Sequence, residues 1–252
     1  MNKSHEASVL QQFGPRASAY VESNVHAQGE DLDWIEEAAR ASRPRSALDL
    51  GAGGGHVAYR LAKHADRVVA CDLSEAMVEA VLTTATANGI TNIAGEVAGA
   101  EALPFDDGAF DYIACRFSAH HWRDFPAGLR EARRVLAPGG AAMFVDVVSH
   151  ANPAMDMHLQ AIELLRDPSH VRNYRPDEWA AALGGAGFAL VTMRARRLRM
   201  DFAAWIARMR TSPTHVAAIR SLQKLASANI ADHFQIEPDG SFTLDTMVIE
   251  AR

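Results

Sequence analysis

Cysteine is scarce: Cys71 and Cys115 are the two in 252 residues. They form neither a CxxC pair nor a metal-ligand cluster, so no metal site is expected, and a core of this size needs no disulfide. Each lies in an apolar run, where a thiol behaves as a small hydrophobe. Positive charge is also short. The 25 Lys and Arg against 31 Asp and Glu leave a net charge of −6, which gives no basic footprint for nucleic acid or an anionic membrane. Long apolar runs are missing too. Stretches such as 141–145 fall far below the ~18–20 residues of a bilayer-spanning helix, and the polar start Met1-Asn2-Lys3-Ser4-His5-Glu6 has no apolar run behind it, so no signal peptide is expected. These absences point to a soluble, cytoplasmic protein. With 48% hydrophobic and 22% charged residues the composition is that of an ordinary globular domain.

From 46 to 148 short apolar runs alternate with amphipathic stretches of helical length. The spacing predicts strands over 46–50, 67–71, 93–97, 110–115 and 141–148, with helices over 55–64, 74–88 and 125–136 between them. Ser74 is placed to cap the second of these helices and Gly89 to stop it. Strands without polar alternation, separated by helices, describe a parallel sheet covered on both faces. This is a doubly wound α/β fold, whose crevice lies at the carboxyl ends of its strands. A helix is expected over 31–41. After Ser149, helices are expected over 153–165, 176–183, 201–209 and 213–229, with strands over 187–198 and 242–249. The helical insertions at 150–186 and 200–230 are expected to cover the active site, around a core at 46–148 within a single domain.

The most informative segment is Leu48-Asp49-Leu50-Gly51-Ala52-Gly53-Gly54-Gly55-His56, a buried strand running through glycines into a helix. Glycines let the backbone turn sharply and approach a ligand closely, and the helix N-terminus adds free N–H donors. Asp72 follows Gly51 by 21 residues, at the end of the next strand, where a carboxylate can accept from two vicinal ribose hydroxyls. A dinucleotide fingerprint, GxGxxG, requires a third glycine where the chain has His56. The match is GxGxG, at Gly51, Gly53 and Gly55, preceded by Asp49. That acid can orient the loop or hold a positive group. Pyrophosphate carries none, whereas S-adenosylmethionine (SAM) carries an ammonium and a sulfonium.

These residues resemble the class I SAM-dependent methyltransferases, in the branch (methyltransferase type 11) containing the ubiquinone/menaquinone-biosynthesis C-methyltransferases. Asp49–Gly55 is similar to the family's first motif and Cys71-Asp72-Leu73-Ser74-Glu75-Ala76-Met77 to its acidic loop. The segments 100–105, 110–113 and 134–140 resemble its later motifs, in order. The resemblance implies a seven-stranded sheet of order 3-2-1-4-5-7-6 with the last strand antiparallel. It also implies SAM as cofactor, S-adenosylhomocysteine (SAH) as product, and a small-molecule methyl acceptor, in a monomer or homodimer. Carried over, Gly51, Ala52 and Gly53 pack on the methionine part of SAM and Asp72 holds the ribose. Leu73 and Met77 flank the adenine, and Ala100 offers it a backbone N–H. Gly99 stands where many relatives carry an acid for the adenine amino group, and Glu101 is the available substitute. Cys115 and Arg116 touch the methionine end through their backbones. Residues 1–30 resemble an N-terminal lid, with Tyr20 as its closing aromatic. A further likeness, to bacterial methyltransferases of unassigned substrate, runs from Arg166 through Asp167-Pro168-Ser169 to His170 and Arg172.

Methyl transfer from a sulfonium depends mainly on positioning, with a base needed where the acceptor loses a proton. His120, which leaves the fourth strand at its carboxyl end, is one candidate base. Asp146, near the end of the fifth strand, is the other, unless it satisfies loop N–H groups. Arg166, His170 and Arg172 can hold an anionic acceptor, or can stitch the lid to itself with Arg–Asp pairs. Arg194, Arg196, Arg197 and Arg199 are expected on a solvated strand face. Two further functions fit the same glycine loop: an NAD-dependent oxidoreductase, with Tyr59 and Lys63 as a Tyr-x-x-x-Lys pair, and a SAM-binding protein without turnover.

Overall fold

The computed structural model describes residues 5–13 and 29–252. Seven strands form one sheet: β1 (Ser46–Leu50), β2 (Arg67–Asp72), β3 (Ile93–Val97), β4 (Phe110–Arg116), β5 (Leu136–Val147), β6 (Leu190–Met200) and β7 (Phe242–Ala251). Their order is β3-β2-β1-β4-β5-β7-β6. Strands β1 to β5 pair in parallel, and β7 runs antiparallel to both β5 and β6. The helices are α1 (His5–Phe13), α2 (Glu30–Ser42), α3 (His56–Leu61), α4 (Glu75–Ala87), α5 (Phe125–Val135), α6 (Pro153–Arg166) and α7 (Pro176–Gly185). After β6 come α8 (Phe202–Met209), α9 (Pro213–Leu225) and α10 (Ala228–Phe234).

Side chains alternate across each strand, and the core divides accordingly. Ala47, Val68, Tyr112 and Met143 face Leu32 and Ile35 of α2 and Val57 and Leu61 of α3. Their neighbours Leu48, Val69, Ile113 and Phe144 face Leu129 of α5 and Trp179 and Leu183 of α7. A third apolar cluster joins Leu159 and Ile162 of α6, Trp205 of α8, Ile219 of α9 and Phe234 of α10 to Val147, Met200 and Leu244. It builds a cap beside the carboxyl ends of the strands. Ser74 accepts from Met77 N–H at the start of α4, and Asp124 and Asp201 do the same for α5 and α8.

Three expectations change. The single helix expected over 213–229 is two, because Ala226 and Ser227 are extended (ψ 137° and 158°) and α10 restarts after them. Pro138-Gly139-Gly140 does not precede the fifth strand but lies within it, and a register shift opposite Phe110 and Tyr112 absorbs the extra residues. The arginines of β6 are not merely solvated. Arg194 and Arg196 lie over the Trp34 ring at 5.2 and 5.6 Å, Arg196 pairs with Asp31 at 2.6 Å, and Arg197 pairs with Asp245 at 2.8 Å. Arg199 pairs with Glu237 at 2.6 Å. Among the described residues no helix is long and apolar enough to cross a membrane.

Candidate functional site

The strand order reverses between β1 and β4, and the cleft opens there, at the carboxyl ends of the strands. One cleft is bordered by the glycine loop, the start of α4, the segments 98–101 and 116–123, the cap and α1.

The glycine loop is bent by residues with positive φ, Gly51 (77°) and Gly53 (50°). A Cβ on Gly51 would fall 2.0 Å from Ser118 Oγ, so glycine is required there for space as well as for backbone angle. Gly51 and Ala52 N–H both donate to Cys71 C=O, at 2.8 and 2.9 Å. Gly53 N–H donates to Asp72 Oδ2, and Ser74 N–H to Asp72 Oδ1, each at 2.9 Å. Asp72 is thereby fixed at the cleft wall with one lone pair of each oxygen still available. Burial raises its pKa, against the lowering by those two N–H groups. Asp49 is 1% exposed and accepts from Ala58 N–H at 2.9 Å, tying the strand to α3. Burial pushes its carboxyl up to about 7. The Ala58 bond opposes this, the Asp72 charge adds to it, and Arg116 offsets part of it. A carboxylate half-ionised near neutrality on a cleft wall suits a cationic ligand.

Leu73, Met77, Gly99, Ala100 and Glu101 line the next part of the cleft. Glu101 Oε1 accepts from the N–H groups of Arg123 (2.9 Å) and Asp124 (3.3 Å). Its Oε2 lies 3.4 Å from where a Cβ on Gly99 would stand. The carboxylate of Glu101 therefore occupies the space beside Gly99. These residues fit a nucleoside: an acid for a diol, apolar surface for a ring, and a second acid near the ring edge.

Arg116 borders the cleft and Cys115 does not. The Cys115 thiol is buried in the core, and burial pushes its pKa well above the ordinary value. The Arg116 guanidinium forms a buried pair with Asp31, which also holds Arg196. Phe117 then adopts a φ of 52°, a strained backbone for a non-glycine, and its N–H donates to Val145 C=O at 2.7 Å.

Past Phe117, a short 3-10 turn (Ala119–His121) sets two histidines at the cleft. His120 Nδ1 lies 2.6 Å from Asp146 Oδ1. Asp146 also accepts from His120 N–H (3.2 Å) and from Val147 N–H (2.8 Å). The two candidate bases are therefore one unit, and Asp146 additionally satisfies loop N–H groups. Burial lowers the His120 pKa, but the charge and hydrogen bond of Asp146, with Glu163 and Asp167 beyond, outweigh it and leave it raised. His121 is pushed down to about 4 by burial and by His120; its Nδ1 donates to Ser169 C=O at 3.2 Å.

The expected anion-holding trio is separated. His170 and Arg172 do not border the cleft. His170 donates to Gln160 Oε1 (3.0 Å) and its pKa is driven down to about 2 by burial and neighbouring cations. Arg172 is held by Asp156 at 3.0 Å and Glu178 at 3.4 Å. Arg166 does border the cleft, but Glu163 pairs with it at 3.2 Å and its guanidinium lies 4.9 Å from the Trp205 ring centre. Tyr20 lies outside the described residues. Helix α1 lies across the histidines: His5 Nε2 donates to His121 C=O at 2.8 Å, and Phe13 meets the His121 ring edge-on at 5.0 Å. Tyr59 and Lys63 do not border the cleft; they bond Val81 C=O (3.2 Å) and Glu36 (3.0 Å).

Four further residues, Asn173, Trp205, Glu163 and Asp31, shape the site without a mark in the sequence. The first three border the cleft, and Asp31 fixes Arg116 from 85 residues away. No spacing signal marks any of them.

The family model of a methyltransferase domain matches residues 48–144. The uncharacterized protein YafE of Escherichia coli is 41% identical over 197 residues, 78% of this chain and 95% of that one. YcgJ of Bacillus subtilis, an uncharacterized methyltransferase, is 33% identical over 89% of this chain and 88% of its own length. Its crystal structure superposes with a TM-score of 0.84 at 30% identity, covering 88% of this chain and 97% of that one. The ubiquinone/menaquinone biosynthesis C-methyltransferase UbiE of Zymomonas mobilis is 34% identical over 110 residues, 42% of this chain and 46% of that one.

Proposed function

Because this chain belongs to the SAM-dependent methyltransferase family, we propose that it methylates oxygen or carbon of a small-molecule acceptor, with the His120–Asp146 pair as base. The observation that carries this reading is the continuity of one cleft from Asp72 and the glycine loop to His120. Two titratable groups joined at 2.6 Å stand at its far end. The NAD-dependent alternative loses its support with the family assignment.

SAM, when bound, supplies an electrophilic methyl group on a positively charged sulfur. Asp72 accepts from the ribose hydroxyls through its two remaining lone pairs. Leu73 and Met77 flank the adenine, and Ala100 N–H and Glu101 serve its edge. Asp49 and the glycine loop, with Gly51, Ala52 and Gly53, receive the methionine end, beside the backbone of Arg116; Cys115, buried behind it, does not take part. Asp146 holds His120 in the tautomer with the proton on Nδ1, so Nε2 presents a lone pair. With SAM bound, the acceptor oxygen or carbon would take up the methyl group and lose its proton to His120 Nε2, and from there to solvent, with SAH as the second product. Neutral His120 is the active form.

Arg166, His170 and Arg172 enter this reading as part of the rigid cap, since both guanidinium charges are matched within the protein and His170 is neutral and bonded to Gln160. Calorimetric titration with SAH tests the cofactor half. A single site of micromolar affinity is expected, and no detectable heat with either SAH or SAM would overturn it.

A further inference from the structure

Asn173 is 1% exposed, yet its side-chain Nδ2 has no hydrogen-bond partner. Among the described residues it is the one such atom whose residue borders the cleft. A buried amide N–H left unpaired costs stability, and native proteins rarely keep one without a use.

The backbone of Asn173 is doubly fixed by contrast. Its N–H donates to Gln160 Oε1 at 3.0 Å, and its C=O accepts from Gln160 Nε2 at 2.8 Å. Gln160 is held in turn by Asp156 at 2.8 Å and His170 at 3.0 Å. Two residues and one residue earlier, Val171 N–H and Arg172 N–H donate to His120 C=O at 2.9 and 3.2 Å. One residue later, Tyr174 C=O accepts from Ser149 N–H at 3.2 Å, just past β5. The segment that carries Asn173 is thus hung on the residue whose ring forms the base. This explains why His170 and Arg172, expected to bind substrate, are committed internally: they hold Asn173 in place.

The surroundings define what the amide meets. Val147, Leu198, Met200, Trp205 and Leu244 give this end of the cleft an apolar wall. Among the described residues, carboxylates outnumber guanidinium groups around it, with Asp146 behind His120 and Glu163 and Asp167 on the wall against Arg166 and Arg208. An anionic acceptor is disfavoured there. An ammonium has no lone pair to accept from Nδ2.

We propose that Asn173 recognises the acceptor: its Nδ2 donates to an uncharged oxygen, hydroxyl or carbonyl, of a largely apolar molecule whose acidic proton faces His120 Nε2. The inference rests on the methyl-transfer reading above. It makes Asn173 a binding and specificity residue that keeps its donor unpaired until the acceptor arrives.

The test uses the full chain saturated with SAH and three matched probes, phenylpropanol, phenylpropylamine and phenylpropanoate, titrated with ligand-detected NMR. Phenylpropanol is expected to bind best. Asn173→Leu should weaken it about tenfold and leave SAH affinity unchanged. The same variant should keep or raise the melting temperature, because an apolar group of similar volume replaces an unpaired amide. The proposal is overturned if phenylpropanol binds Asn173→Leu as it binds the wild type, if phenylpropanoate or the amine binds best, or if no probe binds. It is overturned equally if the variant melts lower, which would make the amide a support of the fold. Failure of SAH itself to bind the wild type would instead remove the methyltransferase reading, and is seen before any probe is added.

Discussion

His120 Nδ1 and Asp146 Oδ1 stand 2.6 Å apart at the end of the cleft that begins at Asp72. The aspartate comes from the end of β5 and the histidine from the turn after β4, so the two meet only because those strands are neighbours in the sheet. The pair fixes a tautomer and raises a pKa with one bond, and the first consequence is a pH dependence.

The rate of methyl transfer should rise with pH through the pKa of His120, which lies above the ordinary histidine value because of Asp146, Glu163 and Asp167. His121 and His170 face the same ring and are neutral near pH 7, at about 4 and about 2. Asp146→Asn removes the nearest charge and should move the rising limb to lower pH, with a lower plateau from the lost tautomer control. His120 also links this pair to folding. A histidine pKa raised in the folded state adds stability below the unfolded value of about 6.5 and loses it as pH rises through the folded value. The wild type should therefore lose more melting temperature than Asp146→Asn between neutral and alkaline pH. An identical limb in both proteins would contradict the assignment.

Asp49 gives a second pH dependence. Its carboxyl titrates at about 7 in the protein, and only the ionised form attracts the ammonium and sulfonium of SAM. Affinity for SAM should rise up to about tenfold between pH 6 and pH 8, from the ionised fraction of a group with that pKa. Without ligand the sign for stability is opposite. A carboxyl raised above its unfolded value stabilises the protonated fold, and that contribution is lost as pH rises from about 4 to about 7. Calorimetry across this range should show proton release on SAM binding, and Asp49→Asn should flatten both curves.

Asp72→Ala should weaken SAH binding tenfold or more, given about 1.5–3 kcal/mol for hydrogen bonds to a charged group. The same change frees Gly53 and Ser74 N–H groups at the cleft wall, where water can reach them. A melting temperature within a few degrees of the wild type, with affinity lost, is the expected combination.

The Asp31 carboxylate carries two guanidinium groups, those of Arg116 and Arg196, with the Asp31 and Arg116 side chains only 4% and 6% exposed. Asp31→Ala removes the buried carboxylate that both guanidinium groups share and should cost about 3–5 kcal/mol in denaturant unfolding. Glu237→Ala breaks the pair with Arg199, whose side chains are 39% and 54% exposed, and should cost far less. Comparable losses from the two variants would contradict the buried role of Asp31.

What was legible in the sequence follows from how far each feature reaches along the chain. Strands and helices between 46 and 148 announce themselves through local periodicity. The glycine loop, Asp72 and the Ser74 cap depend on neighbours within a few residues or on one strand–helix unit, so position alone exposes them. The acceptor end does not work that way. Asn173 matters because Gln160 clasps its backbone and leaves its amide bare, and an asparagine within Arg172-Asn173-Tyr174-Arg175-Pro176 reads as any loop. Arg196 reads as solvated because its partner Asp31 lies 165 residues earlier. Arg172 and His170 read as ligands because charge is visible in a sequence while the carboxylates that neutralise it are not.

The most direct measurement follows a labelled methyl group from SAM into products of a pool of apolar hydroxyl and carbonyl compounds, using wild type, Asp72→Ala and His120→Ala. The wild type should give labelled product and equimolar SAH. Asp72→Ala should fail at low SAM and recover as SAM is raised. His120→Ala should bind SAH normally and turn over about a hundredfold or more slower. Turnover by His120→Ala at the wild-type rate would contradict the base assigned to this cleft, and SAM left unconsumed by the wild type with every compound would contradict the acceptor class.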